Sequence, residues 1–504
     1  MRTSRAIPML ALVLSLAACG DTPAETLANA RAAYERSDYG AARVAVVAAL
    51  RKEPNDVEML TLLAQSQLRL GDAEGAEQTL SRLIGRIAPD EHARLTGDLR
   101  LLQGRAQDAL AGLNPEDESP TAWRIRAAAF VALGKASDAQ DAYGRGMAAG
   151  PDVQLAAAYA RYLLESGAVE VAARVHRTLE SFAPEAFEAL MLQGDLAVAR
   201  GQSKSAVAAY RRAAQLYPQR HEPLLALARE LPESSSHEAM ELLEKAQALT
   251  GGSAEIFEAQ VALHATRREW GAVRAALQGQ ASGLDPTSAL ALTYGEALLH
   301  LGQPEQARTL FTRARLLRPR DPYTRFMLGR AQLATGDAED AWATLSPLAD
   351  SALAPAELIE AAVAAARAVG HPDEKALRAR LRPVRLKQRM AIVDKAQAAL
   401  DRQDWGAARA ALLLIPAGSD DPEVLMRLAL ASSRLGRHHE AITYADQALV
   451  RRPDAPECLH TAGMARFEAG DVQKAQALLR RAADADPRNE GIREDLEKMR
   501  PPAA

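Results

Sequence analysis

From about residue 24 onward, apolar and small residues recur in one fixed order, and that order predicts pairs of short amphipathic helices joined by tight turns. Three stretches show it most plainly: "LLHLGQPEQARTLFTRARLLRPRD" ending at Asp321, "ASSRLGRHHEAITYADQALVRRPD" ending at Asp454 and "MARFEAGDVQKAQALLRRAADADPR" ending at Arg488. Each carries a turn glycine, an alanine five residues later, another alanine seven beyond that, and a closing proline. The first alanine returns as Ala42, Ala76, Ala109, Ala139, Ala172, Ala206, Ala239, Val273, Ala307, Ala341, Lys375, Ala408, Ala441 and Ala475. That is a period of about 34 residues. Twelve positions before it the residue is again small in most units, as in Ala64, Gly194, Gly295, Gly329 and Gly463. Such spacing predicts helix hairpins in which small residues on both helices permit close approach. Turn glycines such as Gly71, Gly302 and Gly436 are expected to adopt the left-handed conformation that ends the first helix. Prolines such as Pro319 and Pro453 close the second.

The units are not uniform. The third is cut short at "GLNPEDESP", the seventh is interrupted by "LPESSSHEA", and the eleventh lacks the alanine and glycine pattern. Units one, eight and twelve have a different turn, "SDYGAA", "REWGAV" and "RQDWGAA", placing Tyr39, Trp270 and Trp405 where other units have polar or small residues. Sub-array boundaries are therefore expected near Gly251 and Arg385.

The pattern resembles the tetratricopeptide repeat, and the likeness extends from about Pro23 to Arg488. It implies an all-α fold, a right-handed α-solenoid of about fourteen helix hairpins with a C-terminal capping helix, because each hairpin buries its apolar face only against its neighbours. The expected organisation is a signal peptide over 1–18, a tether over 19–23, and repeat arrays over 24–251, 252–385 and 386–488. A polar capping helix and tail occupy 489–504.

The first residues carry a different signal. Arg2 and Arg5 precede an apolar run from Ala6 to Leu16, too short for a transmembrane helix. Leu16-Ala17-Ala18-Cys19 resembles the lipobox of bacterial lipoproteins. That resemblance implies a diacylglyceryl group on Cys19 and a chain anchored in the cell envelope, facing the periplasm. Gly20 after the cysteine, in place of Asp, points to the outer membrane ahead of the inner one.

Composition narrows function mostly by exclusion. The chain of 504 residues is 48% apolar and has a net charge of −4, so a charge-driven association with nucleic acid has no global support. There is no HExxH, CxxC, GxxxxGK[ST] or GxSxG motif. Gly144, Gly146 and Gly150 sit at the end of a helical pattern before Pro151, where helix packing explains them better than a dinucleotide loop. His438 and His439 are adjacent and so do not share a helix face as metal ligands require. Cys458 reads as a small apolar side chain. The reading is a non-enzyme with no cofactor and no metal.

Binding has better support. The resemblance places the first helix of each hairpin along a concave groove, and its exposed face carries Met191 and Asp195, then Leu292, Glu296 and His300. Tyr323, Phe326 and Arg330 follow, and finally Met464 and Phe467. An apolar stripe with interspersed charge suits an extended peptide or a partner helix, although burial between neighbouring units would explain several of these residues equally well. Positive charge concentrates at Arg378, Arg380, Arg382, Arg385, Lys387 and Arg389, in the least regular unit. The patch reads as a solvated linker or as a docking site for an anionic partner. A lipobox joined to a long repeat array resembles lipoproteins of exopolysaccharide export, and the N-terminal units are similar to the repeat lipoprotein of exosortase (PEP-CTERM) systems. The implied role is a scaffold for proteins of an envelope assembly or secretion complex. The alternative is an assembly factor or chaperone for outer-membrane or pilus proteins.

Overall fold

The computed structural model describes residues 23–415, 418–487 and 489–499. Among them all regular structure is helical, 76% of the chain with no strand, in 29 α-helices arranged as a tetratricopeptide-like α-solenoid. Fourteen hairpins and a final helix, Glu490–Lys498, account for them. By their contacts the residues form two compact units, one ending at Ile256 and the other beginning at Phe257.

Local chemistry starts the helices where the pattern predicts. Asp56 accepts a hydrogen bond from Met59 N at 2.8 Å, and Asp321 accepts one from Thr324 N at 2.7 Å. Each satisfies an amide that the first turn leaves without a carbonyl partner. Proline follows at the first helical position in Pro322–Thr335 and Pro422–Arg434, where its missing N–H costs nothing. The alanines of the register are buried as a set: Ala42, Ala76, Ala172, Ala307, Ala341, Ala408 and Ala475 have no exposed surface. The third and eleventh units have second helices of only six residues, Ala106–Ala111, and seven, Glu374–Arg380, while the seventh has a short first helix, Glu222–Glu230.

One expectation needs correction. The small residue of the first helix is met first by a large side chain of the second, and at Gly463 the Ala475 carbonyl follows Leu479 at 3.3 Å. A Cβ on Gly194 would lie 2.2 Å from Tyr210 Cε1, one on Gly295 2.6 Å from Phe311 Cζ, and one on Gly329 2.5 Å from Leu345 Cγ. Tyr210, Phe311 and Leu345 each stand four residues after the register alanine, one turn along the same face. The glycine is thus a socket for a large side chain from the partner helix. Complementarity of large and small, added to the close approach of small residues, fills the space between the helices to interior density.

A second difference concerns the three variant turns. Most turn glycines take positive φ, Gly302 at 72° for example, but units one, eight and twelve reach the same conformation with Ser37 (58°), Arg268 (56°) and Gln403 (54°). A side chain in this region costs roughly 1–2 kcal/mol. In two of the three, an aspartate follows and caps the next helix: Asp38 accepts from Ala41 N and Asp404 from Ala407 N, both at 3.0 Å. Replacing Gln403, which is exposed, by glycine is therefore expected to raise stability by about 0.5–1 kcal/mol, the relief of strain less the added freedom of the unfolded chain. Urea denaturation would measure it.

In the second unit the connection between Ala338–Ala349 and Ala356–Ala368 is held from three sides. Arg380 donates to the carbonyls of Ala349 and Ser351, the latter at 2.6 Å. Arg389 Nη1 donates to the carbonyls of Ala352 and Ala354 at 3.0 and 2.7 Å. Asp421 accepts from Ser351 Oγ at 3.0 Å and from Ala352 N.

Candidate partner-binding groove

The predicted groove residues separate into those that pack and those that face open space. Met191 is half-buried against Ala197, Ala206, Tyr210 and Leu227. Asp195 accepts a hydrogen bond from the Tyr210 hydroxyl at 2.7 Å, and burial pushes its carboxyl above the ordinary carboxylate range despite that bond. Leu292 and Phe326 lean on the core formed around Val273, Leu298 and Phe311. These four are explained by packing within and between repeats.

Glu296, His300 and Arg330 instead converge on one depression of about 820 Å³, with Arg268, Trp270, Leu299, Glu357 and Glu360 also on its walls. It lies wholly within the second unit. The His300 and Trp270 rings stack with centroids 4.4 Å apart and planes 3° from parallel. Glu296 accepts from the Tyr323 hydroxyl at 2.9 Å, and its carboxylate lies 3.8 Å from His300 Nε2. Tyr323 is 40% exposed, yet its hydroxyl is held in the neutral form by burial first and the Glu296 charge second. The Arg330 guanidinium sits 5.7 Å from the Phe326 ring centroid and touches Met327 Sδ. Among the described residues, Arg268, Arg330, Glu357 and Glu360 join no ion pair. The walls therefore present both signs of charge, together with an aromatic shelf.

Sequence reasoning did not assign Trp270, Arg268, Glu357 or Glu360 to a groove. The first two belong to the variant turn of the eighth unit, and that turn was the available signal. Its left-handed Arg268 projects the tight loop so that Trp270 begins the next helix beneath His300.

Burial and the nearby Arg330 charge lower the His300 pKa below its usual 6.5. Since the unfolded chain then takes up the proton first as pH falls, the stability from neutral His300 is complete above about pH 6.5 and declines below it. The side chain is 36% exposed, so the effect is partly screened. His300→Gln is expected to weaken the acid sensitivity of unfolding between pH 7.5 and 5.5, while an NMR titration of the wild-type ring gives an apparent pKa under 6.5. An unshifted ring titration would contradict this.

The last two predicted groove residues part company. Met464 lines a smaller depression of about 350 Å³ with Met426, Arg427, Ser433 and His460, also in the second unit. Phe467 is 36% exposed and does not line it.

The basic cluster is not a uniform charged face. Arg378 pairs with Glu374 at 2.5 Å, while Arg382 and Lys387 are exposed. Arg380 and Arg389 turn inward onto the carbonyls already described, so the solvated-linker reading fails for them. The side chain of Arg385 and the whole of Cys19 lie outside the described residues.

Other candidate chemistry resolves as packing. Cys458 is fully buried beside Met426, and burial pushes its thiol up to about 11, far from a reactive thiolate. No cluster of three His, Cys, Asp or Glu side chains suited to a metal occurs among the described residues, and none of their helices is long and apolar enough to cross a membrane.

Comparison with known proteins agrees with this architecture at the level of the repeat. Among curated proteins, FK506-binding protein-like from Rattus norvegicus and its counterpart from Mus musculus are each 33% identical over 94 residues. That stretch is 18% of this chain and 27% of theirs, so the chain spans about a quarter of the length of the curated relatives it matches. Among solved structures, a chain of the APC/C hetero-tetramer Cut9-Hcn1 is 14% identical with a TM-score of 0.37, covering 95% of this chain and 96% of its own length. The P58(IPK) TPR domain is 16% identical with a TM-score of 0.22, covering 69% and 97%. Two family models, each described as tetratricopeptide repeat, match residues 27–92, 172–221 and 393–456 in one case and 298–368 in the other. Tetratricopeptide repeats therefore make up these four stretches of the chain, and the groove lies in and around the one over 298–368.

Proposed function

We propose that this protein is a non-enzymatic scaffold that holds protein partners in the groove around Trp270, His300 and Arg330. A lipid on Cys19 would tether it at the periplasmic face of a bacterial envelope, outer membrane ahead of inner, in exopolysaccharide export or a related envelope assembly. Tetratricopeptide repeats generally bind protein partners. The observation that carries the reading is the convergence of an aromatic shelf with charges that join no ion pair among the described residues. An extended segment with an acidic group facing Arg268 and Arg330, a basic one facing Glu357 and Glu360, and apolar residues over Trp270 would satisfy all of them. Because stacked helices form the groove before binding, little ordering entropy is lost by the receptor. The lipobox and the N-terminal repeat sequence support the envelope assignment.

Two measurements test the proposal. Cys19→Ala is expected to move the protein from the membrane fraction to the soluble periplasmic fraction, and retention on the membrane would refute the lipid anchor. A photo-crosslinker at Arg330 in cells is expected to trap a few partners in stoichiometric yield, lost on Trp270→Ala. Many unrelated envelope proteins in substoichiometric yield would favour the chaperone reading instead.

A further inference from the structure

A second cavity, away from the groove, has the makings of a small-molecule site. It is an open-sided cavity of about 1220 Å³ within the second unit, between the Glu374–Arg380 helix, the Pro383–Asp401 helix and the start of Pro422–Arg434. Ligand sites commonly occupy roughly 300–1,000 Å³, so the space is ample. Ala376, Ala379, Ala391 and Ile392 form much of its apolar wall.

Arg389 supplies the polar feature. Its side chain lines this cavity and is 9% exposed. Nη1 is satisfied by the carbonyls of Ala352 and Ala354, but Nε and Nη2 are buried without any hydrogen-bond partner. These two nitrogens form one edge of the guanidinium plane, the parallel pair of N–H groups that matches the two oxygens of a carboxylate. Among the described residues no carboxylate pairs with Arg389, and the charge it feels is the like charge of Arg380. A buried cation without a counter-ion is costly, whereas the same cation paired bidentately is not.

The other charges on the wall narrow the anion. Asp421 is committed to Ser351, Ala352 and the amides of Glu423 and Val424. Asp420 is committed to Arg451, and Arg380 spends two nitrogens on carbonyls. Three carboxylates, Asp350, Asp420 and Asp421, and three guanidinium groups, Arg380, Arg389 and Arg452, line the cavity and balance one another, so the guanidinium edge left without a partner on Arg389 matches a single carboxylate. We propose that this cavity takes a monocarboxylate with an aliphatic body, the carboxylate on the Nε–Nη2 edge of Arg389 and the chain against the alanine and isoleucine wall. That edge is closed to solvent, so pairing with it requires the side chains that cover it to move aside.

Calorimetric titration of the full chain with sodium decanoate tests this, with decanol and acetate as the two halves of the probe. Decanoate is expected to bind at least tenfold more tightly than either. Arg389→Lys keeps the charge but loses the fork, and is expected to weaken decanoate at least tenfold with decanol unchanged. Because Arg389 also holds a loop, Ala391→Trp provides a second variant: it fills the cavity from an exposed wall position and is expected to abolish decanoate binding while thermal unfolding stays as in the wild type. Equal binding of decanoate and decanol, an unaffected Ala391→Trp variant, or no decanoate binding at all would overturn the proposal.

Discussion

Gly295→Ala is expected to destabilise the second unit by about 1–3 kcal/mol, the usual cost of overpacking, although alanine is the better helix former by about 1 kcal/mol. The sign follows from the socket. The new methyl would stand 2.6 and 2.9 Å from two atoms of the Phe311 ring, which has no exposed surface and so no free direction in which to move. Gly144→Ala is the matched control, since that helical glycine has nothing within 4 Å of a would-be Cβ and should gain stability from propensity alone. Gly295 lies between Tyr294 and Glu296, so pushing its helix off Phe311 also pulls Glu296 from Tyr323 and disturbs the ring stack at Trp270. Repeat arrays unfold in segments, so hydrogen exchange over 289–317, read beside urea denaturation, should show the loss locally. A Gly295→Ala variant as stable as the Gly144→Ala control would refute the socket.

Asp421→Ala is expected to be larger in effect, roughly 2–5 kcal/mol. Its Oδ1 accepts from Glu423 N at 2.8 Å and Val424 N at 3.3 Å as the cap of Pro422–Arg434, and a lost cap costs about 1 kcal/mol. Its Oδ2 accepts from Ser351 Oγ and Ala352 N, some seventy positions away, and bonds to a charged acceptor contribute about 1.5–3 kcal/mol. Asp421 is 7% exposed, so the donors it serves are shielded in the folded chain. Asn separates the two roles: Asp421→Asn keeps one oxygen for the cap but presents an amide to the two loop donors. It should retain the helix start and still release the loop that frames the Arg389 cavity. Thermal melts of both variants decide the matter, and an Asp421→Asn protein as stable as the wild type would show that the loop contact contributes nothing.

Much of the architecture was legible in the chain because it rests on local rules. An alanine every 34 or so residues, a left-handed turn between helices and a proline closing the second are chemistry over a few neighbouring positions, and Ala307, Gly302 and Pro319 behave accordingly. The three variant turns were legible as a class, but not their strain. The preference for glycine at positive φ is statistical, and at Ser37, Arg268 and Gln403 the flanking helices impose the conformation. The pairing of Gly295 with Phe311 was also hidden. Both residues are regular features of the repeat, but their meeting is a property of two helices, not of either one.

The groove shows the same division. Glu296, His300 and Arg330 could be named from the exposed face of one helix per repeat, while Asp195 and Phe326, drawn from the same face, turned out to pack. Helical spacing assigns a residue to a side of its helix, but the distance to the next repeat decides whether that side is open. The basic cluster is the sharpest instance. Arg378, Arg380 and Arg389 are alike as sequence, three positive charges in an irregular unit. Helix periodicity determined by itself that this chain forms an array of hairpins with a repeating core, because backbone hydrogen bonding and apolar burial act over short spans. Only the tertiary structure decided that Arg378 answers a surface glutamate while Arg380 and Arg389 go inside, because a buried guanidinium needs carbonyls from a loop more than 25 residues away, and nothing local to an arginine says where those carbonyls will be.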